Sequence, residues 1–108
     1  MENTVLEKFH QGRQSLGTFS AIGSPLAVES LRYTGLDYVI VDTEHSPAGI
    51  ESAAAQIAAA QGAGLTALAR ANEISRTAVL RLLDVGAQGV VVPCVETVEE
   101  VRELVRYA

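Results

Sequence analysis

Tryptophan is absent, aromatic residues make up 5% of the chain, and cysteine occurs once. The single Cys94 excludes an internal disulfide framework and fits a reducing compartment. No apolar run approaches the ~20 residues of a membrane-crossing helix, and Met1-Glu2-Asn3-Thr4 lacks the basic start and apolar core of a secretion signal. Positive charge is also scarce: Lys+Arg 8 stand against Asp+Glu 13, a formal charge of -5. That balance gives no basic footprint for nucleic acid or an anionic membrane, so an anionic ligand has to be caught locally. Neither G-x-G-x-x-G nor G-x-x-x-x-G-K-[ST] occurs, which removes the main sequence grounds for a nucleotide-binding sheet. A cytoplasmic protein without nucleic-acid or membrane partners is the expectation.

What is present is regular alternation. With 48% hydrophobic residues and 108 positions, the chain has material for one packed domain. Thr4-Val5-Leu6-Glu7 has the spacing of a capping box and opens a short helix with Val5, Leu6 and Phe9 on one face. Leu16–Ser20 is a strand candidate, followed by Ser24-Pro25, a cap with proline at the first helical position, and a helix ending at Gly35. Tyr38–Val41 is an apolar run of the type buried on both faces of a parallel sheet. It stops in polar chemistry at Asp42, Glu44 and His45, and Ser46-Pro47 can open the next helix. There Ile50, Ala53, Ala54, Ile57 and Ala58 form a thin apolar stripe.

Leu65–Arg70 is a further buried strand, ending in a cation where the previous strand ends in Asp42. Ser75 caps a helix bearing Val79, Leu82 and Leu83, and Gly89–Pro93 is a β-branched run of the fully buried type. Thr97-Val98-Glu99-Glu100 repeats the capping-box spacing before a helix whose Val101, Leu104, Val105 and Ala108 share a face. On that helix Glu99 with Arg102, and Glu103 with Arg106, are spaced for minor ion pairs. A helix and then four strand-helix units predict parallel strands in an α/β fold, and a (β/α) barrel is favoured over an open sheet. Such a barrel needs eight units and about 250 residues. Residues 1–108 are therefore read as a single partial domain, the N-terminal half of a TIM (β/α)8 barrel.

Read in order, Val41-Asp42-Thr43-Glu44-His45-Ser46-Pro47, the strand-end Arg70 and Leu83-Asp84-Val85-Gly86-Ala87-Gln88-Gly89-Val90-Val91-Val92-Pro93 resemble the HpcH/HpaI aldolase family. The resemblance runs from about Leu16 to Tyr107. It implies a metal-dependent carbon-carbon lyase, a class II aldolase that cleaves 4-hydroxy-2-oxo acids to pyruvate and an aldehyde, built as a (β/α)8 barrel and forming homo-oligomers. By the same resemblance His45 is the catalytic base, Asp42 the acid beside it, and Arg70 the cation that binds the pyruvyl oxygens. Glu44 is an uncertain neighbour, holding a water or another subunit, or simply solvated. The residue types suit the chemistry. A base for the methyl group of pyruvate needs a pKa near neutrality, which an imidazole beside a carboxylate supplies, and a fixed guanidinium stabilises an enolate.

A divalent metal, Mg²⁺, Mn²⁺ or Co²⁺, is implied, with a Glu and an Asp of later strands as ligands. Neither has a counterpart within these 108 residues, nor does the glycine- and arginine-containing loop after the fourth helix, so the chain alone is expected to be incomplete as an enzyme. Cys94 stands where relatives carry an apolar residue, and is read as a buried packing change rather than a nucleophile. Glu99, Glu100 and Glu103 are read as a solvated face, and Glu2, Glu7 and His10 as solvent-facing. Two other readings remain open: a non-catalytic half-barrel that self-associates to cover its open edges, and a barrel that binds carboxylate or phosphate through Arg70 and helix N-termini without aldol chemistry.

Overall fold

The computed structural model describes residues 2–44 and 49–108. Four parallel strands form one sheet in the order β1 (Gly17–Ser20), β2 (Tyr38–Asp42), β3 (Thr66–Arg70), β4 (Gly89–Val91). Before them comes α1 (Thr4–His10), and between and after them α2 (Pro25–Ser30) with a 3-10 turn at Leu31–Tyr33, α3 (Ile50–Gly62), α4 (Arg76–Asp84) and α5 (Val98–Tyr107). Parallel neighbours need a crossover, and the helices supply it. Register is direct: Phe19 pairs with Ile40, Ile40 with Leu68, Asp42 with Arg70, and Arg70 with Val91.

Side chains alternate along each strand, so this register sorts the sheet into two faces. On one face Val39, Val41, Ala67 and Ala69 are fully buried beneath Val28, Ala53, Ile57, Ala60 and Leu82 of the helices. Alanines recur in both β3 and α3, so small side chains line much of the contact between the layers. On the other face lie Phe19, Tyr38, Ile40, Leu68 and Val91, none of them fully buried. The periodic pattern therefore distinguishes strands correctly while overstating their burial: β4, expected to be fully buried, is half-buried throughout and ends at Val91 rather than Pro93. It is an edge strand, and among the described residues its side chains opposite the helices have no second layer.

Local signals at several helix ends hold. Ser24 accepts from Ala27 N, Ser75 from Ala78 N, and Thr97 with Glu100 completes the reciprocal capping box. α1 differs. Its cap is Asn3, which accepts from Leu6 N at 3.0 Å, because Thr4 N is taken by the Thr66 hydroxyl at 2.9 Å. The expected apolar face of α1 does not anchor it, since Leu6 and Phe9 are exposed. Polar links to the N-terminal ends of the strands do so instead. Lys8 Nζ meets Asp37 Oδ1 at 2.8 Å ahead of β2, and Gln88 Nε2 donates to Glu2 O at 2.6 Å ahead of β4.

The stripe on α3 is rotated from its expected position. Ala53, Gln56, Ile57 and Ala60 are buried, whereas Ala58 is exposed. Gln56 is tolerated in the core because its amide is satisfied, accepting from Ser20 Oγ at 2.9 Å and donating to Ser52 Oγ at 3.2 Å. α5 buries none of its side chains, and Val98, Val101 and Val105 are exposed. Among the described residues neither Glu99 nor Glu103 pairs with an arginine, and Glu103 accepts from the Tyr107 hydroxyl at 3.3 Å. Cys94 is not buried as expected: it is exposed, in a turn with φ 59. The Val91 end of β4 releases the chain to the surface just before it.

Candidate functional site at the strand ends

Asp42 and Arg70 are the last residues of neighbouring parallel strands and are paired in register. Both side chains consequently project from the face opposite the helices, at the carboxyl end of the sheet, where α/β folds build their sites. The pair is bidentate. Arg70 Nε donates to Asp42 Oδ1 at 3.1 Å and Arg70 Nη2 to Oδ2 at 2.8 Å. The Asp42 carboxylate is about 3% exposed and the guanidinium side chain 22%. A planar fork matched to a carboxylate is the geometry that makes arginine unlike lysine. The hydrogen bond to Asp42 is the main cause that holds the Arg70 pKa above its already high ordinary value, so the group stays charged.

The backbone adds rigidity. Thr43 N donates to Arg70 O at 3.2 Å and the Thr43 hydroxyl donates to the same oxygen, carrying the ladder one residue past β2. Asp42 Oδ1 also accepts from Glu44 N at 2.9 Å, a turn that brings Glu44 round to the cation. Glu44 Oε1 stands 3.4 Å from Arg70 Nε. The guanidinium is thus flanked by two carboxylates, with the stronger contact to Asp42. Nη1 makes no hydrogen bond among the described residues, so that edge of the fork remains for a ligand oxygen.

Of the expected site residues, the structure brings together Asp42, Arg70 and Glu44. His45 lies outside the described residues, as do Ser46 and Pro47, expected to open the next helix; α3 itself begins at Ile50 with Gly49 as its cap. Two contributors escaped sequence reasoning. Thr43 follows from its place between two acids only in hindsight. Phe19 lies beneath the cation, with Arg70 Cζ over its ring 4.6 Å from the centroid. Its only signal was an aromatic residue one position before the end of a short strand.

For a divalent cation the fit is poor within the described residues. No group of three or more His, Cys, Asp or Glu side chains is placed to hold one. Asp42 and Glu44 both face Arg70, whose single positive charge offsets one of their two negative charges and competes with a hard cation for them. No helix among the described residues is long and apolar enough to cross a membrane.

Comparison with known proteins bears on this geometry. The sequence model of the HpcH/HpaI aldolase/citrate lyase family matches residues 15–108. A hydroxypyruvate/pyruvate aldolase of Roseovarius nubinhibens is 34% identical over 104 residues, which cover 96% of this chain and 40% of that protein. A 4-hydroxy-2-oxo-heptane-1,7-dioate aldolase of Escherichia coli is 30% identical over 106 residues, 98% of this chain and 40% of that one. Among solved structures, an HpcH/HpaI aldolase/citrate lyase family protein of Burkholderia cenocepacia superposes with a TM-score of 0.88 at 29% identity, covering 98% of this chain and 42% of the other. The chain thus spans about 40% of the length of these relatives, and its four parallel strands correspond to a half-barrel of their fold.

Proposed function

The chain belongs to the HpcH/HpaI aldolase/citrate lyase family, and from that premise we propose that its strand-end cluster is the 2-oxo-acid-binding side of an aldol lyase. The reaction is the reversible cleavage of 4-hydroxy-2-oxo acids to pyruvate and an aldehyde. The observation that carries this reading is the Asp42–Arg70 pair, a cation held rigidly at the mouth with Nη1 uncommitted. A carboxylate or enolate oxygen lying in the guanidinium plane is the ligand such an edge fits.

In the cleavage direction a base takes the proton of the C4 hydroxyl. The C3–C4 bond then breaks, its electron pair passing into the pyruvate enolate as the aldehyde leaves, and C3 is reprotonated. His45 is proposed as that base, because imidazole titrates near neutral pH. Asp42 holds the Arg70 fork in place, and Arg70 stabilises the negative oxygen that develops. Glu44 is proposed as a supporting neighbour of the cation. The divalent metal that the family implies would act as a Lewis acid on the 2-oxo group. Its ligands are not proposed among the described residues.

Pyruvate release from 4-hydroxy-2-oxo acids, assayed on a barrel in which further strand-helix units complete this half, tests the reading. Release is expected with Mg²⁺, Mn²⁺ or Co²⁺ and its loss with a chelator; cleavage undiminished by chelation overturns the metal-dependent reading. Pyruvate binding that disappears in Arg70→Ala, with no cleavage under any metal, would identify a carboxylate-binding module instead.

A second reading has its own observation. Among the described residues the sheet face bearing Phe19, Ile40 and Leu68 has no covering layer, and β1 and β4 stand at the two edges of the sheet. A second copy could cover them, giving the homo-oligomer that the family resemblance implies. Sedimentation that rises with protein concentration supports self-association, and a monomer at all concentrations refutes it.

A further inference from the structure

We propose that Phe19 is a positioning residue for Arg70, fixing the plane of the guanidinium so that a 2-oxo carboxylate approaches only along its Nη1 edge; this rests on the reading of Arg70 as the oxo-acid-binding cation. Three contacts define the orientation of a planar group, and each is present. Asp42 grips the Nε and Nη2 edge in plane, at 3.1 and 2.8 Å. Glu44 Oε1 adds a contact at 3.4 Å beside Nε. Neither of these stops the fork from swinging about the carboxylate as a hinge. The Phe19 ring does, because it sits against the guanidinium with its centroid 4.6 Å from Cζ. An aromatic ring attracts a cation to its face through its quadrupole, and a flat guanidinium stacks there as an ammonium cannot.

The sheet makes this contact possible. Phe19 is in register with Ile40, two residues before Asp42, and Arg70 lies one strand beyond. The Arg70 side chain therefore reaches back across β2 over the face opposite the helices. Phe19 is 49% exposed, a high value for a phenylalanine in a strand. Among the described residues its ring lies against Arg70. With the ring over Cζ and one edge on Asp42, the hydrogen-bonding capacity left among the described residues is Nη1 and one proton of Nη2.

The test combines the Arg70 Nε–H NMR resonance with pyruvate titration of the intact chain. In the unsubstituted protein the ring should shift Nε–H upfield of the other arginines and give a nuclear Overhauser contact with the Phe19 ring. Phe19→Leu should abolish both and weaken pyruvate binding by about two- to fivefold, the range of a partly exposed cation–π contact. Phe19→Tyr should restore them. A bulk effect on packing would be indifferent to aromaticity, so recovery by tyrosine separates positioning from filling. The proposal is overturned if the unsubstituted protein shows no ring contact to Nε–H, or if Phe19→Leu leaves the resonance and affinity unchanged. Should Phe19→Leu fail to fold, the ring contact in the unsubstituted chain still decides. If pyruvate does not bind even the unsubstituted protein, the oxo-acid reading fails while the resonance reports separately on what Phe19 does to Arg70.

Discussion

Arg70 shows how much one side chain at a strand end is asked to do. Its fork serves Asp42 through Nε and Nη2, meets Glu44 at the same Nε and lies over the Phe19 ring. Arg70→Lys keeps the charge and removes the fork, so it tests geometry rather than electrostatics. Pyruvate affinity, read by titration calorimetry, is expected to fall by about ten- to a hundredfold, the worth of a charge-assisted hydrogen bond. Unchanged affinity would mean that charge alone suffices. At the opposite end of the sheet Asp37 plays a structural part. The hydrogen bond from Lys8, then that from Leu16 N, hold its pKa below the ordinary 3.8. A depressed carboxylate contributes stability that is complete above the unfolded pKa and is lost as pH falls through the lower folded value. Melting temperature should therefore drop below about pH 4, and Asp37→Asn should flatten that acid limb. An identical limb in the variant would assign acid sensitivity elsewhere.

Elements differ in what fastens them. α3 is held by apolar burial: Ile57 is completely enclosed against β2 and β3. Ile57→Ala should cost about 2–5 kcal/mol in urea denaturation, and a loss under ~1 kcal/mol would show that the layer collapses around the gap. Glycine makes a finer distinction. A Cβ on Gly17 would meet the Tyr38 ring at 2.3 Å, whereas one on Gly89 would meet only the Cδ2 tip of Leu68 at 2.8 Å. Gly17→Ala should thus destabilise by ~1–3 kcal/mol, and Gly89→Ala by less, since a leucine tip can turn aside. Equal losses would contradict this. The caps at Ser24, Ser75 and Thr97 were legible in sequence because a cap is a local affair of three or four residues. The start of α1 was not, since Thr66, 62 positions away, claims the amide of Thr4.

Among the described residues, one sheet face is sealed by helices and the other is not. Ile40 and Leu68, adjacent on the open face, are half-buried rather than enclosed. If a second copy covers this face, Ile40→Lys should suppress concentration-dependent association in ultracentrifugation with little change in melting temperature, because Ile40 makes no part of the helix-covered core. Association that survives the charge would place the contact on the exposed valines of α5 instead.

The order of strands and helices, their parallel character and the charged residues closing β2 and β3 were present in the sequence alone. Hydrophobic period, glycine stops and caps act over a few residues and need no partner. Asp42 and Arg70 were visible for the same reason, as charges ending apolar runs. Register and facing are different matters, fixed by strands 28 residues apart meeting at Asp42 and Arg70. Only that meeting turned two strand-end charges into a bidentate pair, laid Phe19 under the cation, drew Gln56 into the core and left β4 and α5 half-covered. Such contacts depend on distance in space, which a periodic pattern along the chain does not encode.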